Sequence, residues 1–232
     1  AIIKPVVFQK ETRFYEIPMC LLFTIIFMIF CNSQNSISRI EAIILLILFC
    51  VFLGYTIFMG KKESKDNLTE FEVKSEGKEN KKNSIVKNII FVILGIVGLK
   101  FGGDLTVNNA VNIANYFNIS EKIISLTILA IGTSLPELVT SVTAAIKGNS
   151  DIAIGNIIGS NIFNILLIIG VSAIIKPITY NVTYNFDLLI LLLSTIILAI
   201  FPFIPPKEKM SRVNGIIYFL MYVIYLVVLI VK

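Results

Sequence analysis

Long apolar runs alternate with short polar segments along almost the whole chain. A helix that crosses a bilayer needs about 17–25 mainly apolar residues, because each residue adds only about 1.5 Å to its length. Most of the runs here have about that length, and polar residues mark their ends. The pattern predicts seven transmembrane helices, at residues 17–31, 37–59, 88–114, 121–146, 152–175, 186–203 and 213–231.

Two parts of this pattern depart from a plain apolar helix. The third run contains polar or flexible residues near its middle, namely Lys100, Gly102, Gly103 and Asp104. We therefore expect its helix to be broken, tilted or exposed to a cavity. Residues 61–87 hold eight Lys among six acidic residues. Because the lysines neutralise the interleaved acids, this segment is predicted to be a solvated connecting loop rather than an ion sensor.

Composition points to the same class of protein. The apolar class makes up 56% of the residues and the mean hydropathy is +0.87, against about 45–50% apolar residues in a soluble domain. The predicted fold class is an all-α polytopic membrane protein. The chain has no His, which excludes His-ligated zinc, a Ser–His dyad and a His proton relay. The three Cys lie in or beside apolar runs and are interpreted as small apolar residues.

The basic residues indicate membrane orientation rather than a nucleic-acid partner. The net charge is +5, but basic and aromatic residues are not interleaved as in nucleic-acid-binding surfaces. Cytoplasmic loops are enriched in Lys and Arg. With residues 61–87 inside and sides alternating at each helix, fifteen basic residues fall inside and four outside. Loop 61–87 is therefore predicted to be cytoplasmic and the carboxyl terminus external, and the short loops favour a prokaryotic plasma membrane.

Two short segments recur at nearly the same spacing. Residues 1–5 and 173–177 both read AIIKP, and SRIEA at residues 38–42 is matched by SRVNG at residues 211–215. The offsets are 172 and 173 residues, and each segment lies at the edge of a predicted helix. This agreement indicates an internal repeat.

The repeat predicts the domain organisation. Residues 88–232 form a complete copy with five predicted helices, and residues 1–60 hold the last two helices of an earlier copy. Because five is odd, consecutive copies lie in opposite orientations, as in the inverted repeats of secondary transporters. We therefore expect a ten-helix protein of roughly 320 residues, of which this chain is a carboxyl-terminal portion lacking three helices of the first copy.

The predicted fourth helix concentrates oxygen atoms on one face. At about 100° per residue, this face carries Thr133, Glu137, Thr140 and Ser141, with Ser134 at its margin. Pro136 has no amide hydrogen, so the carbonyl of Gly132 loses its partner in the helix. Hydroxyls, a freed carbonyl and a carboxylate are the hard oxygen ligands that Na⁺ and Ca²⁺ require. A carboxylate within the membrane is also typical of a functional site.

The predicted fifth helix carries a second polar stripe. Asn156, Ser160 and Asn164 are four residues apart, so they lie on one face of a helix. Gly155 and Gly159 have the spacing that lets two helices approach closely. Only a short turn separates this helix from the fourth, so the two polar faces are predicted to meet across a narrow gap.

These motifs resemble the second α-repeat of the sodium/calcium exchanger family, in the cation/Ca²⁺ exchanger superfamily. The matching segments are GTSLPE at residues 132–137 and GNIIGSNIFN at residues 155–164, and the signature covers about residues 100–177. The resemblance implies an inverted-repeat fold of ten helices embedded in lipid, of which seven are present here. It also implies alternating-access exchange of cytoplasmic Ca²⁺ for external Na⁺. These ions are transported substrates, and no cofactor is expected.

The resemblance implies roles for individual residues. Glu137 would be the acidic ligand shared by Ca²⁺ and Na⁺, and Ala130 would supply a backbone carbonyl. The remaining ligands would be Thr133, Ser134, Ser160 and Asn164. Secondary candidates are Gly132, Asn156, Ser141 and Asp104. Potassium-dependent relatives carry an acid at the position of Asn164, so the amide favours a potassium-independent exchanger.

One carboxylate is too few for a calcium site. Ca²⁺ takes about 6–8 oxygen ligands and favours several carboxylates, whereas this motif contributes Glu137 alone. The missing amino-terminal α-repeat is therefore the expected partner that completes the site. The 232-residue chain by itself is expected to bind Ca²⁺ weakly or not at all.

Three alternatives remain beside a Na⁺/Ca²⁺ antiporter. An H⁺/Ca²⁺ antiporter would exchange a proton and a cation at Glu137, but the hydroxyls of Thr133 and Ser134 favour Na⁺, which needs extra neutral oxygens. An enzyme with Ser134 or Ser160 as nucleophile is disfavoured, because the chain has no His and no Lys is placed as a base. A non-transporting interaction subunit would tolerate Glu137→Gln, whereas a transporter would lose ion flux.

Overall fold

Helices make up most of the computed structural model, which describes residues 1–71, 81–117, 130–205 and 207–231. The helices are α1 (Ile17–Ser33), α2 (Arg39–Phe71), α3 (Lys81–Tyr116), α4 (Ala130–Lys147), α5 (Ser150–Phe163), α6 (Ile169–Ile175), α7 (Asn185–Ile200) and α8 (Arg212–Val231). Four two-residue strands lie between them, namely β1 (Val6–Val7), β2 (Ser36–Ile37), β3 (Ile178–Thr179) and β4 (Lys209–Met210).

Short π and 3₁₀ turns lengthen several helices. A π-helical turn at Thr12–Glu16 leads into α1, and another at Asn164–Ile168 joins α5 to α6. The 3₁₀ turns Val182–Tyr184 and Phe201–Phe203 flank α7. Within the described ranges, five helical segments are long and apolar enough to cross a membrane: Thr12–Ser33, Arg39–Lys61, Ser150–Ile175, Val182–Phe203 and Arg212–Leu229.

Five of the seven predicted transmembrane helices correspond to these segments. The third predicted helix lies within α3, which runs past Lys100 and Asp104 without a break. Of the three expectations for it, the break is therefore wrong, and a tilt or exposure to a cavity stays a prediction. Of the fourth, residues 121–129 lie outside the described residues, and the remainder belongs to α4. The total of seven therefore stays a prediction.

The charged segment at 61–87 is less of a loop than the sequence predicted. Helix α2 continues to Phe71 and α3 already begins at Lys81, and residues 72–80 lie outside the described part. Lys and Glu have high intrinsic helix propensity, so both helices extend into a segment that we interpreted only by its charge.

The chain divides into two compact units. The first unit comprises residues 1–54 and 137–232, and the second comprises residues 55–136. In the first unit, α1 packs against α5 and α7. Its main core consists of buried apolar side chains, among them Ile17, Phe23, Leu45, Ile158, Ile162 and Leu166. Many large apolar side chains are nevertheless exposed, for example Ile40 at 73%. Extensive apolar exposure is typical of a surface that faces lipid.

The four strands form two small antiparallel pairs within the first unit. β1 pairs with β4, with Val7 opposite Lys209, and β2 pairs with β3, with Ser36 opposite Thr179. We call β1 with β4 the first strap and β2 with β3 the second strap. β3 follows β1 by 172 residues and β4 follows β2 by 173, which are the offsets of the sequence repeat. Each repeat thus pairs its first strand with the second strand of the other.

Backbone details of the two straps also correspond. The amide of Phe8 donates to the carbonyl of Glu208 at 2.7 Å, and the equivalent amide of Tyr180 donates to Asn35 at 2.8 Å. Asn35 and Glu208 both have positive φ, at 50° and 66°. Non-glycine residues rarely adopt this conformation, so its occurrence at equivalent positions indicates one local structure used twice.

The helices that follow the straps begin in the same way. The hydroxyl of Ser38 accepts the amide of Glu41 at 3.3 Å, and that of Ser211 accepts the amide of Asn214 at the same distance. Each is a serine N-cap that satisfies an amide in the first turn. The SR segments of the repeat therefore mark two equivalent helix starts.

Close packing occurs at a different glycine from those predicted. A Cβ on Gly170 would lie 2.9 Å from Leu46 Cδ2, whereas within the described residues nothing lies within 4 Å of a Cβ on Gly155 or Gly159. The expectation that Gly155 and Gly159 admit a neighbouring helix is therefore not met in the described part of the chain. Their spacing indicates a smooth helix face, but a neighbouring element must also lie opposite that face.

Candidate ion-binding site

A sharp turn joins the two helices that carry the sequence motifs. Gly148 has φ of +84°, a conformation that glycine adopts without strain. Amides at the turn satisfy the last carbonyls of α4, since Asn149 donates to Ala144 at 2.9 Å and Gly148 to Ala145 at 3.0 Å. The chain therefore reverses over two residues between α4 and α5, which makes them an antiparallel hairpin.

Hydrogen bonds from Asn156 determine which residues of the two hairpin helices lie opposite each other. Its Nδ2 atom donates to the backbone carbonyl of Glu137 at 3.1 Å and to Ser141 Oγ at 3.0 Å. A carbonyl can only accept, so the amide nitrogen and not the amide oxygen of Asn156 must face α4. Ser141 is 9% exposed, so this contact is largely shielded from solvent.

The carboxylate of Glu137 is a candidate ligand for a cation. Its Oε2 atom is buried and makes no hydrogen bond to any residue that the structure describes. A buried polar oxygen without a hydrogen bond is unfavourable. A bound cation would supply the missing interaction, so the chemistry of this residue fits an ion ligand.

Two further oxygen donors continue the stripe that begins at Asn156. Ser160 lies one helical turn farther from the hairpin turn, or about 5.4 Å along the axis, and is half-buried. Side chains on α4 lean towards its amino end, so Glu137 is directed towards the level of Ser160. The Ser160 hydroxyl donates to the carbonyl of Ile157 at 3.1 Å, which leaves its lone pairs available to a cation.

Asn164 occupies a distinctive position in the backbone. It is exposed and opens the π-helical turn Asn164–Ile168. Such turns occur often at functional sites because they redirect side chains within a helix. The sequence pattern gave no sign of this turn, although it did place Asn164 on the polar stripe.

The remaining predicted residues belong to the second unit. Thr133 and Ser134 are exposed and Gly132 is buried, all in the first turns of α4 before Pro136. The hydroxyl of Thr133 donates to the carbonyl of Ala130 at 3.2 Å, and Asp104 is exposed on α3. The first unit thus brings Asn156 against Ser141 and the backbone of Glu137, with Ser160 one helical turn farther along α5. Ala130, Gly132, Thr133, Ser134 and Asp104 are placed in the other unit.

Within the described residues, no group of three His, Cys, Asp or Glu side chains lies close enough to hold a metal ion. The candidate donor set in the first unit is therefore one carboxylate with neutral oxygens from Ser and Asn. Such a set suits a monovalent cation better than it suits Ca²⁺ alone.

A second acid within a membrane span escaped the sequence interpretation. Asp187 accepts a hydrogen bond from the Tyr225 hydroxyl at 2.9 Å, and the ring of Tyr225 stacks on that of Phe186. These contacts join α7 to α8. Asp187 is the second residue of the predicted run 186–203. Ionisable residues within membrane spans usually have a specific role, so this rule could have identified Asp187 from the sequence.

Comparison with known proteins identifies the family. The family model described as "Sodium/calcium exchanger protein" matches residues 87–231. The chain belongs to the sodium/calcium exchanger family. Its fold is accordingly that of an all-helical, multi-pass membrane exchanger, and the family consists of ion transporters rather than enzymes.

Individual relatives in the exchanger family cover different shares of the chain. It is 38% identical over 179 residues to "Putative antiporter CaxA" of Alkalimonas amylolytica, which is 76% of this chain and 54% of CaxA. The sodium-calcium exchanger NCX_Mj, solved after soaking with Na⁺ and Sr²⁺, superposes with a TM-score of 0.74 and 31% identity, over 98% of this chain and 69% of that one. This chain therefore spans about half of CaxA.

A more distant structure supports the exchanger fold alone. The H⁺/Ca²⁺ exchanger CAX superposes with a TM-score of 0.67 at 14% identity, over 95% of this chain and 57% of that one. At this identity the likeness concerns the arrangement of helices. It leaves open which ion couples to Ca²⁺.

Proposed function

We propose that this chain forms part of a Na⁺/Ca²⁺ antiporter that works by alternating access, with Glu137 as the acidic ligand of both ions. The observation that carries the proposal is the buried Glu137 Oε2 atom, which lacks a hydrogen bond within the described residues. The names of its relatives support exchange of cations including Ca²⁺. Na⁺ and Ca²⁺ are then substrates, and no cofactor is needed.

The proposed ligand set extends along both helices of the hairpin. Ser160 and Asn164 supply side-chain oxygens from the α5 side, and Thr133, Ser134 and the carbonyl of Ala130 supply them from α4. The neutral oxygens favour Na⁺, because a monovalent cation needs less negative charge around it than Ca²⁺ does. Asn156 and Ser141 bond to each other, so we assign them to support of the hairpin.

A calcium site requires a second carboxylate, which we assign to a further α-repeat. The motif GTSLPE has no second copy in the 232 residues. The reciprocal strap pairing supports two inverted repeats, with residues 1–60 and 88–232 as parts of successive copies. Inverted repeats place the substrate site at their interface near mid-membrane, so each α-repeat would contribute one acid.

The straps also support the proposed orientation. The segments around the first strap contain Lys4, Lys10, Lys207 and Lys209, whereas those around the second contain Arg39 and Lys176. We therefore place the first strap and loop 61–87 at the cytoplasmic face and the carboxyl terminus outside. A prokaryotic plasma membrane remains the proposed location.

The test is calcium flux through the complete protein in proteoliposomes. With pH clamped on both sides, an outward Na⁺ gradient is expected to drive uptake of ⁴⁵Ca²⁺. Glu137→Gln should abolish uptake because it removes the charge but keeps the size. Asp151→Asn is the matched control, since Asp151 is an exposed acid on the same hairpin, and it should retain uptake. Calcium uptake that follows a pH gradient and ignores Na⁺ would instead establish H⁺/Ca²⁺ exchange.

A further inference from the structure

The two straps share a backbone structure but differ in what covers them. In the first strap, the amide of Phe8 bonds across the pair to Glu208. Neighbouring residues in an antiparallel pair alternate in direction, so the amide of Val7 points away from β4. It donates to Ser150 Oγ at 3.1 Å. The turn of the α4–α5 hairpin is therefore seated on β1.

A lysine makes a second contact with the same turn. Lys4 Nζ lies 3.2 Å from the position of a Cβ on Gly148, directly after α4 ends at Lys147. Carbonyl groups at a helix carboxyl end attract cations. The first strap thus holds the hairpin turn through one amide and places one ammonium group beside Gly148.

The second strap carries the same two groups. Thr179 follows Val7 by 172 residues and Lys176 follows Lys4 by 172. Because the amide of Tyr180 bonds across the pair to Asn35, the amide of Thr179 points away from β2. Thr179 is exposed. Lys176 is exposed.

An open polar pocket lies where the equivalent turn would be seated. Its volume is about 330 Å³. The lining residues are Asn35, Thr179, Tyr180, Asn181 and Val182, and residues 179–182 are equivalent to residues 7–10 of the first strap. The second strap therefore has the same strand pairing and the same two donor groups as the first, with a cavity in place of the turn.

We propose that this pocket is a docking site for the turn of another α-repeat hairpin, carried by polypeptide outside residues 1–232. The occupant would have a Ser or Thr hydroxyl at the first residue of its second helix, accepting from the Thr179 amide. The carboxyl end of its first helix would face Lys176, and a glycine with positive φ would close its turn. The inference rests on the proposed two-repeat organisation but is independent of which ions are exchanged.

Site-specific photo-crosslinking tests the docking site. The photoreactive residue p-benzoylphenylalanine replaces Thr179 or Asn181 in the complete protein. The experiment uses membranes of cells that express the whole gene. Mass spectrometry then identifies the crosslinked peptide. The matched control replaces Val7, which should crosslink to residues 147–150 of the same chain. We expect Thr179 to crosslink, in a fraction comparable to the control, to a turn containing Ser or Thr next to an acidic G-[ST]-[ST]-x-P-E helix.

Other outcomes overturn the proposal. The pocket has a different occupant if Thr179 and Asn181 crosslink only to lipid, or only to residues 147–150 of a second copy. This conclusion requires that the Val7 control still crosslinks to its own turn. Failure of Val7 to reach residues 147–150 would remove the equivalence on which the inference is built. If the Thr179 crosslink forms as expected but the complete protein shows no Na⁺-driven Ca²⁺ flux, the proposed exchange of Na⁺ for Ca²⁺ is wrong and the docking site stands.

Discussion

At the scale of single residues, the hairpin contains one side chain suited to bind a cation and others that hold its two helices in place. Glu137 offers a buried oxygen with no hydrogen bond among the described residues, whereas Asn156 uses its amide nitrogen to bridge two acceptors on α4. The family resemblance implied that Glu137 is an ion ligand, and Asn156 was a secondary candidate on the polar stripe of the next helix. Periodicity reports which face of a helix a side chain occupies. It does not report which end of an amide meets the neighbouring helix.

Substitutions of Asn156 distinguish positioning from ligation. Asn156→Asp keeps an oxygen but loses both donors, and it sets a carboxylate against the Glu137 carbonyl. We expect the Michaelis constant for Ca²⁺ to rise and the maximal flux to fall, measured with the complete protein in proteoliposomes. Asn156→Ala leaves buried acceptors unpaired at a cost of about 1–3 kcal/mol, which would lower the thermal unfolding midpoint in detergent.

Ser141→Ala provides the control for this pair. It removes one acceptor and leaves the bond from Asn156 to the Glu137 carbonyl, so the loss should be smaller, near 1 kcal/mol. If Asn156→Asp keeps the wild-type Michaelis constant, its side-chain oxygen is a ligand and the positioning role is wrong.

At the scale of elements, close packing depends on what lies opposite a helix face. Gly170 meets Leu46 and the carbonyl of Ala42, while Gly155 faces open space within the described residues. Both glycines lie in one long helical segment, Ser150–Ile175. They therefore form a matched pair for testing the packing.

Alanine at these two positions should act in opposite directions. Gly170→Ala forces Leu46 aside, and such overpacking costs about 1–3 kcal/mol. Gly155→Ala meets no neighbour and gains up to about 1 kcal/mol of helix propensity. Thermal unfolding of the purified chain in detergent measures both effects. Equal destabilisation by the two substitutions would show that another helix packs against Gly155.

At the scale of the whole molecule, the donor set limits ion binding by this chain alone. Ca²⁺ needs about 6–8 oxygens, and the proposed ligand set contains one carboxylate, that of Glu137. We expect isothermal titration calorimetry to detect no micromolar Ca²⁺ binding to the purified 232-residue chain, with size-exclusion chromatography confirming a monomer. Micromolar affinity in a monomer would refute the need for a second α-repeat.

The strap arrangement also predicts which side of the membrane each loop faces. Cysteine introduced by Arg39→Cys, at an exposed position beside the second strap, should react with a membrane-impermeant maleimide added to intact cells. Lys209→Cys should react only after permeabilisation, because the first strap is placed inside. The background variant carries Ser at Cys50, which is exposed in the structure. Labelling of both positions from one side would contradict the inverted arrangement.

Much of the fold follows from local pattern, with informative exceptions. Runs of apolar residues gave five of the helical segments that are long enough to span a membrane. The length of the charged loop was overestimated, because Lys and Glu residues continue α2 to Phe71. The break expected in α3 is absent because two charges and two glycines weaken a helix without removing its hydrogen bonds.

The sequence by itself determined the membrane class, the repeat spacing and the hairpin of oxygen-bearing residues, because periodicity and composition are local properties. Only the tertiary structure decided that Asn156 donates to α4, that helices meet at Gly170, and that each repeat lends a strand to the other. These features depend on which faces come together between segments up to about 200 residues apart, and contacts over such separations leave no mark in the local pattern.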